Sequence, residues 1–220
     1  MPGLKATLHL DMLNDFKKRS RLLPRILKAI RREASRNNIY GVEWGDPDFV
    51  EPLRFVLNRY VLPYVNQEHC ALEIGPGGGR WTRYLLGFKK LWVVDYYAEL
   101  LDELKKNFAL PNIAFVKNNG TDFPGIETRS IDYLFSFDVF VHLDEDLIKA
   151  YLTSMKPILK PEANVVIQYS DKTKIMAQVN KGFSDNTPDQ MREMVLAAGY
   201  RVLEEDLTTM WHSSIIRFTP

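Results

Sequence analysis

A chain of 220 residues with 45% hydrophobic, 26% charged and 12% aromatic side chains carries enough apolar matter for a core, which excludes global disorder. Its 29 basic and 28 acidic residues leave a net charge of +1, which argues against a protein built mainly to coat nucleic acid. The single cysteine, Cys70, excludes an intrachain disulfide and a cysteine-based zinc cluster.

No apolar run approaches the roughly 18–20 residues that span a bilayer, and the first ten residues lack the pattern of a secretory leader. The expectation is a cytoplasmic protein. Charge is unevenly placed: residues 1–40 hold ten basic and three acidic side chains, so the rest of the chain is net negative by six. Within that arm, Leu10, Leu13, Phe16, Leu23, Leu27 and Ile30 recur at helical spacing, and Pro24 divides the stripe into two helical pieces with a basic opposite face. Residues 40–47 (YGVEWGDP) read as a loop, followed by a helix over 48–65 that Pro63 shortens.

From residue 70 the pattern alternates. Short apolar runs predict strands over 70–74, 91–95, 113–117, 131–137 and 164–169. Between them lie helices over 80–86 (with Gly87 as its C-cap), 98–108 and 145–159. Thr187-Pro188-Asp189-Gln190 is a helix start in which Thr187 caps, Pro188 takes the first turn and Gln190 reaches back; Gly199 ends that helix. The last strands, over 200–207 and 213–219, are joined by five residues, short enough for an antiparallel pair. Strand–helix alternation implies an α/β fold with a mostly parallel sheet covered on both faces.

The sharpest local signal is Ala71-Leu-Glu-Ile-Gly-Pro-Gly-Gly-Gly-Arg80, a glycine-rich turn after a strand. Glycines there let the backbone approach a ligand closely. A dinucleotide fingerprint fits Gly75 and Gly77, but Arg80 stands where a third small residue is wanted for close helix–strand packing. The pattern E-x-G-x-G-x-G is met by Glu73, Gly75, Gly77 and Gly79. Asp95 ends the next strand twenty residues beyond Gly75, the spacing of a ribose-binding acid.

This set resembles the class I S-adenosylmethionine (SAM)-dependent methyltransferases over about residues 66–220. The resemblance implies a Rossmann-like seven-stranded mostly parallel sheet with an antiparallel last strand, plus an N-terminal helical extension. It implies a domain boundary near residue 45, with a basic extension over 1–45 and the methyltransferase domain over 46–220. It further implies SAM as cofactor. Glu73, Gly75, Pro76, Gly77 and Gly79 would form its loop, and Asp95 and Tyr96 would lie at the ribose. Thr121, Asp122 and Phe123 would lie at the adenine, and Phe137, in Phe135-Ser136-Phe137-Asp138, at the methionine end.

Open α/β sheets bind ligands beyond the carboxyl ends of their parallel strands. That rule brings His142, Asp144, Asp171, Trp211 and His212 to one rim. A sulfonium methyl is already activated, so transfer depends on positioning, whereas a hydroxyl acceptor needs its proton removed. His142 or His212 is expected to be the base, and Asp171 its orienting or substrate-binding partner; no metal is required by the spacing. Asp144 is placed to cap the following helix. Tyr40, Trp44 and Asp46 form a segment over the cofactor or a surface loop with a buried Trp, and Phe183 and Trp211 are candidates to stack on an acceptor ring. The expected acceptor is a small molecule or glycan rather than nucleic acid. The basic extension either docks on its own body, self-associates, or lies on an anionic membrane surface. A nicotinamide-dependent oxidoreductase, an inactive SAM-binding scaffold and an aminopropyltransferase are the rival readings.

Overall fold

A computed structural model describes residues 41–220. The helical stripe around Pro24, the boundary near residue 45 on its N-terminal side, and Tyr40 lie outside the described residues. The described chain forms one seven-stranded sheet in the order β3-β2-β1-β4-β5-β7-β6. Its strands are β1 (Cys70–Ile74), β2 (Lys90–Asp95), β3 (Ile113–Lys117), β4 (Ile131–Phe140), β5 (Leu159–Ser170), β6 (Arg201–Asp206) and β7 (Ser213–Thr219). Strands β1 to β5 pair in parallel, and β7 runs antiparallel to both β5 and β6. The expected mostly parallel sheet with an antiparallel last strand is therefore present.

Alternate side chains of the central strands feed two cores. Leu72, Ile74 and Leu134 face one core, and Ala71, Tyr133, Phe135 and Phe137 face the other. A parallel strand buried on both faces reads as a continuous apolar run, which is why β1, β2 and β4 are visible in the sequence. The first core is closed by α3 (Glu145–Met155) and α5 (Pro188–Ala197). The second is closed by α1 (Glu51–Val56) with the π and 3-10 turns that continue it to Tyr64, by Trp81, and by α2 (Ala98–Asn107).

The start of α5 is as the sequence predicts. Thr187 Oγ1 accepts from Gln190 N, Gln190 Oε1 accepts from Thr187 N at 2.9 Å, and Gly199 has φ +77° beyond the helix end. Three expectations fail. The helix over 80–86 is only a 3-10 turn, Thr82–Tyr84, with Tyr84 N donating to Trp81 O and Leu85 N to Thr82 O, each three residues back. Gly87 is not a left-handed cap: a Cβ there would lie 2.6 Å from Val65 Cγ1, so the glycine serves close packing. The predicted β5 is lengthened at both ends, and a short helix the sequence did not announce, α4 (Ile175–Val179), follows it. Among the described residues no helix is long and apolar enough to cross a membrane.

Candidate active site

The glycine loop leaves β1 through Gly75 (φ +68°), Gly77 (φ +55°) and Gly79 (φ +99°), with Pro76 between. These are left-handed conformations that favour glycine. Gly75 N donates to Val94 O at 2.8 Å and Gly79 N to Pro76 O at 3.0 Å, so the turn is tied to the end of β2. A Cβ on Gly75 would lie 2.2 Å from Val139 Cγ2 and one on Gly79 2.2 Å from Phe108 Cε2. The loop is thus both bent and crowded, and its backbone is the surface offered to a ligand.

Glu73 lies below this turn and is buried. Thr82 Oγ1 donates to its Oε2 at 2.6 Å. Burial pushes the Glu73 carboxyl up to about 8, against the lowering effect of the Thr82 hydroxyl and Arg80. The sign for stability follows. The unfolded carboxyl titrates near ~4.3, so between about pH 4 and pH 8 the folded chain holds a proton that the unfolded chain has lost, and stability falls as pH rises. Glu73→Gln, a neutral shape match, is expected to raise the thermal midpoint at pH 8.5 and leave it nearly unchanged at pH 5. Unfolding scans at the two pH values check this.

Asp95 ends β2 beside the loop and is also buried. Its Oδ1 accepts from Tyr97 N at 2.9 Å, and burial lifts its carboxyl to about 7 against the hydrogen bonds from the Tyr97 and Tyr96 backbone. Tyr96 sits alongside, its ring edge-on to Tyr97 at 5.0 Å. A carboxylate has about four lone-pair sites, so Asp95 keeps acceptor capacity for a vicinal diol. After β3, Asn119 Oδ1 accepts from Thr121 N and Asp122 N while Asp122 Oδ1 accepts from Asn119 N at 2.7 Å, so Asp122 closes a polar turn. Phe123 is buried against Tyr151, ring centroids 6.0 Å apart.

At the end of β4, Asp138 has φ +60°, a conformation uncommon for a non-glycine residue. Gln168 Oε1 accepts from its backbone N at 2.7 Å, and Gln168 Nε2 donates to Ser213 Oγ, joining the ends of β4, β5 and β7. Arg80 is the residue that sequence reasoning read as an obstruction. Its guanidinium lies over the Phe137 ring, pairs with Asp138, and donates to Gly41 O and Gly45 O at 3.2 and 3.3 Å. It therefore straps the 41–45 segment to the loop and to the methionine end expected for the cofactor. Arg83 pairs with Asp46 to reinforce the strap. Trp44 is 60% exposed, so the alternative of a buried Trp anchor is excluded. Arg80→Met removes a buried cation from its partners and is expected to cost about 3 kcal/mol, read as a lower denaturant midpoint with faster proteolysis near Gly41.

His142 and His212, expected on the acceptor side, come together around Phe183, but not in the pairing expected. His142 Nδ1 lies 2.7 Å from Gly182 O. Phe183 stands between the two imidazoles, edge-on to His142 at 5.5 Å and to His212 at 5.3 Å. His142, Asp144, Gly182, Phe183 and Asp185 line a cleft of about 300 Å³. The tip of the 180–186 loop is fixed from below: Ser184 N donates to Val141 O at 2.8 Å, and Asn186 Nδ2 to Leu143 O at 2.8 Å. The same loop supplies Phe183, which the sequence offered only as a possible stacking ring.

Asp171 corrects the expected histidine–carboxylate pair. Its carboxylate accepts from Ser214 Oγ at 2.6 Å and from Thr173 N and Oγ1, with Lys174 Nζ 3.6 Å away, and no hydrogen bond or ion pair joins it to either imidazole. Burial would raise this acid, but the hydroxyl and backbone donors hold it below the usual carboxylate range. A carboxylate so fully engaged is an anchor for the 171–174 turn. Burial pushes His212 down, opposed by Asp138 and assisted by Lys174, and its Nδ1 is buried without a partner among the described residues. Asp144 occupies the N-cap position of α3, where its carbonyl accepts from Ile148 N, but its side chain makes no capping bond. No group of three potential metal ligands comes together among the described residues.

Residues 71–162 match the family model of the methyltransferase domain. An uncharacterised methyltransferase of Schizosaccharomyces pombe is 29% identical over 125 residues, 56% of this chain and 48% of the relative. The chain thus spans about half the length of that curated relative. Among solved structures, a SAM-dependent methyltransferase from Aquifex aeolicus superposes with a TM-score of 0.59 at 17% identity, over 86% of this chain and 96% of that one. The DhpI complex with SAH superposes with a TM-score of 0.63 at 20% identity, over 90% of this chain and 97% of the other. The matched segment is similar to a methyltransferase domain, and the sheet order is that of the fold shared with these SAM-dependent methyltransferase structures. The residues present suit that cofactor: a crowded glycine turn whose space a Cβ would fill, and a buried acid with free lone pairs at the end of β2.

Proposed function

We propose that the protein transfers the methyl group of SAM to a hydroxyl on a small-molecule or sugar-containing acceptor, with His142 as the general base. SAM supplies an electrophilic methyl on sulfur when bound. The chain's own task is to line up the acceptor oxygen behind that carbon and to take its proton. The observation that carries the reading is the His142–Gly182 contact. A carbonyl only accepts, so Nδ1 bears the hydrogen, and the neutral tautomer this selects has its lone pair on Nε2, on a residue that lines the cleft. The backbone pin fixes ring orientation as a carboxylate would, which removes the need for Asp171. Phe183 forms the wall between the two histidines, and His212, kept neutral by burial, adds a second polar contact for the acceptor. Glu73, Gly75, Pro76, Gly77, Gly79, Asp95, Tyr96, Thr121, Asp122, Phe123 and Phe137 are assigned to the cofactor.

The test is label transfer from methyl-tritiated SAM to a panel of polyols, phenols, glycans and their amine counterparts. The expected product is an alkali-stable methyl ether formed with one equivalent of S-adenosylhomocysteine. Label confined to amines or carboxylates would contradict the proposal.

A further inference from the structure

His142 is held from more sides than its ring contact alone. The 180–186 loop meets the turn after β4 at three consecutive residues. Ser184 N donates to Val141 O at 2.8 Å, Gly182 O lies 2.7 Å from His142 Nδ1, and Asn186 Nδ2 donates to Leu143 O at 2.8 Å. The backbone on either side of His142 and its imidazole are therefore bound to one loop.

Asn186 closes this clamp. Its side chain is buried, and its amide nitrogen carries two hydrogens. One goes to Leu143 O and the other to Ser184 Oγ at 2.8 Å, so the same nitrogen touches the turn that carries His142 and the loop that carries Gly182. The loop is tied to the end of β5 as well: Ser170 Oγ donates to Ser184 O at 2.7 Å, and Lys172 N to Asn186 O at 2.9 Å. At its other end, Gly182 N donates to Asn180 Oδ1 at 3.0 Å and Phe183 N to Asn180 O at 3.1 Å. In a planar trans peptide the N–H and C=O point in opposite directions. The bond from Phe183 N therefore turns the Gly182 carbonyl away from Asn180 and toward His142.

We propose that Asn186 is a positioning residue, which holds the Gly182 carbonyl against His142 and so sets which ring nitrogen carries the hydrogen. Its effect on rate rests on the reading of His142 as the base; its effect on the ring does not, since the ring state belongs to the free protein. A neutral imidazole can carry its hydrogen on either nitrogen, and a fixed acceptor at Nδ1 is what keeps Nε2 bare. Without the amide, Leu143 O loses this buried donor, and the loop is left on the Ser184 rung. Two rungs fix a direction, whereas one allows the carbonyl to swing.

The experiment uses the full chain labelled with nitrogen-15 at histidine. Long-range proton–nitrogen spectra at pH 8.5 report the tautomer of each ring, with His142→Ala assigning the signal. In the parent, His142 is expected to carry hydrogen on Nδ1 alone. In Asn186→Ala the Nδ1–H share is expected to fall to about half, with the His212 signal unchanged. The kcat should drop about tenfold while the acceptor KM stays within about twofold, because orientation and not binding is lost. Asn180→Ala removes an exposed side chain, so it keeps the test open should Asn186→Ala not fold; it loosens the same loop from its other end and should shift the tautomer in the same direction. An unshifted Nδ1–H signal in either folded variant, or a lower thermal midpoint with the ring unchanged, would overturn the inference and make Asn186 a structural residue only. A shifted ring with an unchanged kcat would support the clamp and contradict the base.

Discussion

His142→Ala is expected to lower kcat about 1000-fold while leaving the affinity for S-adenosylhomocysteine within twofold of the parent. Positioned general bases contribute about 10²–10⁴ in rate, and without one a hydroxyl acceptor loses its proton only to solvent, which is slower. The site separates the two functions. His142 follows β4, with its Nδ1 fixed by Gly182 O at 2.7 Å, whereas the residues proposed for the cofactor follow β1, β2 and β3, with Phe137 on β4. Loss of rate without loss of cofactor affinity is the mark of an interaction made with the acceptor and transition state. Added imidazole should restore part of the lost rate, because the space it would occupy is the cleft wall vacated by the ring. His212→Ala should cost about tenfold, as the loss of one contact to the acceptor. Steady-state kinetics of the three proteins, with SAH titrations alongside, measure all of this; an unimpaired kcat in His142→Ala would remove the base from the account.

Asp95→Ala is expected to weaken SAM and SAH binding at least 100-fold without unfolding the domain. A buried carboxylate that accepts from two vicinal hydroxyls makes charge-assisted hydrogen bonds of about 1.5–3 kcal/mol each, and removing it leaves those hydroxyls in a dry site. The pH dependence gives an independent check. Burial lifts the free carboxyl to about 7, so a growing share of the protein carries a neutral Asp95 as pH falls below that value. A neutral carboxyl accepts more weakly, so affinity should fall as pH drops from 8 to 6 in the parent and stay flat in Asp95→Asn. Calorimetric titrations across that range decide it. Stability runs in the opposite direction, because the raised Glu73 and Asp95 carboxyls both favour folding at lower pH.

Much of this site was legible before the structure because the signals were local. Cys70–Ile74 and Ile113–Lys117 coincide with the predicted strands, since an apolar run bounded by polar turns leaves little freedom of register. Gly75 and Gly79 announce themselves because the backbone there takes positive φ in crowded space. The failures are of a different kind. Residues 80–86 carry helical spacing, but the tertiary ties of Glu73 to Thr82 and of Arg80 to the 41–45 segment override it. The expected role of Arg80 was negative, an obstacle, because a sequence does not reveal that a guanidinium reaches carbonyls thirty-nine residues away. Asp171 was paired with a histidine on the strength of shared loops. Its real partners, Ser214 and Thr173, are ordinary hydroxyl residues whose spacing carries no signal. The exposed face of α4 has no counterpart in the sequence reading, because five residues are too few to show a helical period.

The central claim is that an adenosine-bearing cofactor lies across the carboxyl ends of β1 and β2. Amide resonances followed during titration of the isotopically labelled protein with S-adenosylhomocysteine test it most directly. The account predicts saturable shifts at micromolar ligand, largest at residues 75–79, 95–97 and 120–123, and no comparable response to NAD. Shifts of equal size induced by NAD, or a response to S-adenosylhomocysteine that spares the glycine turn and Asp95, would contradict it.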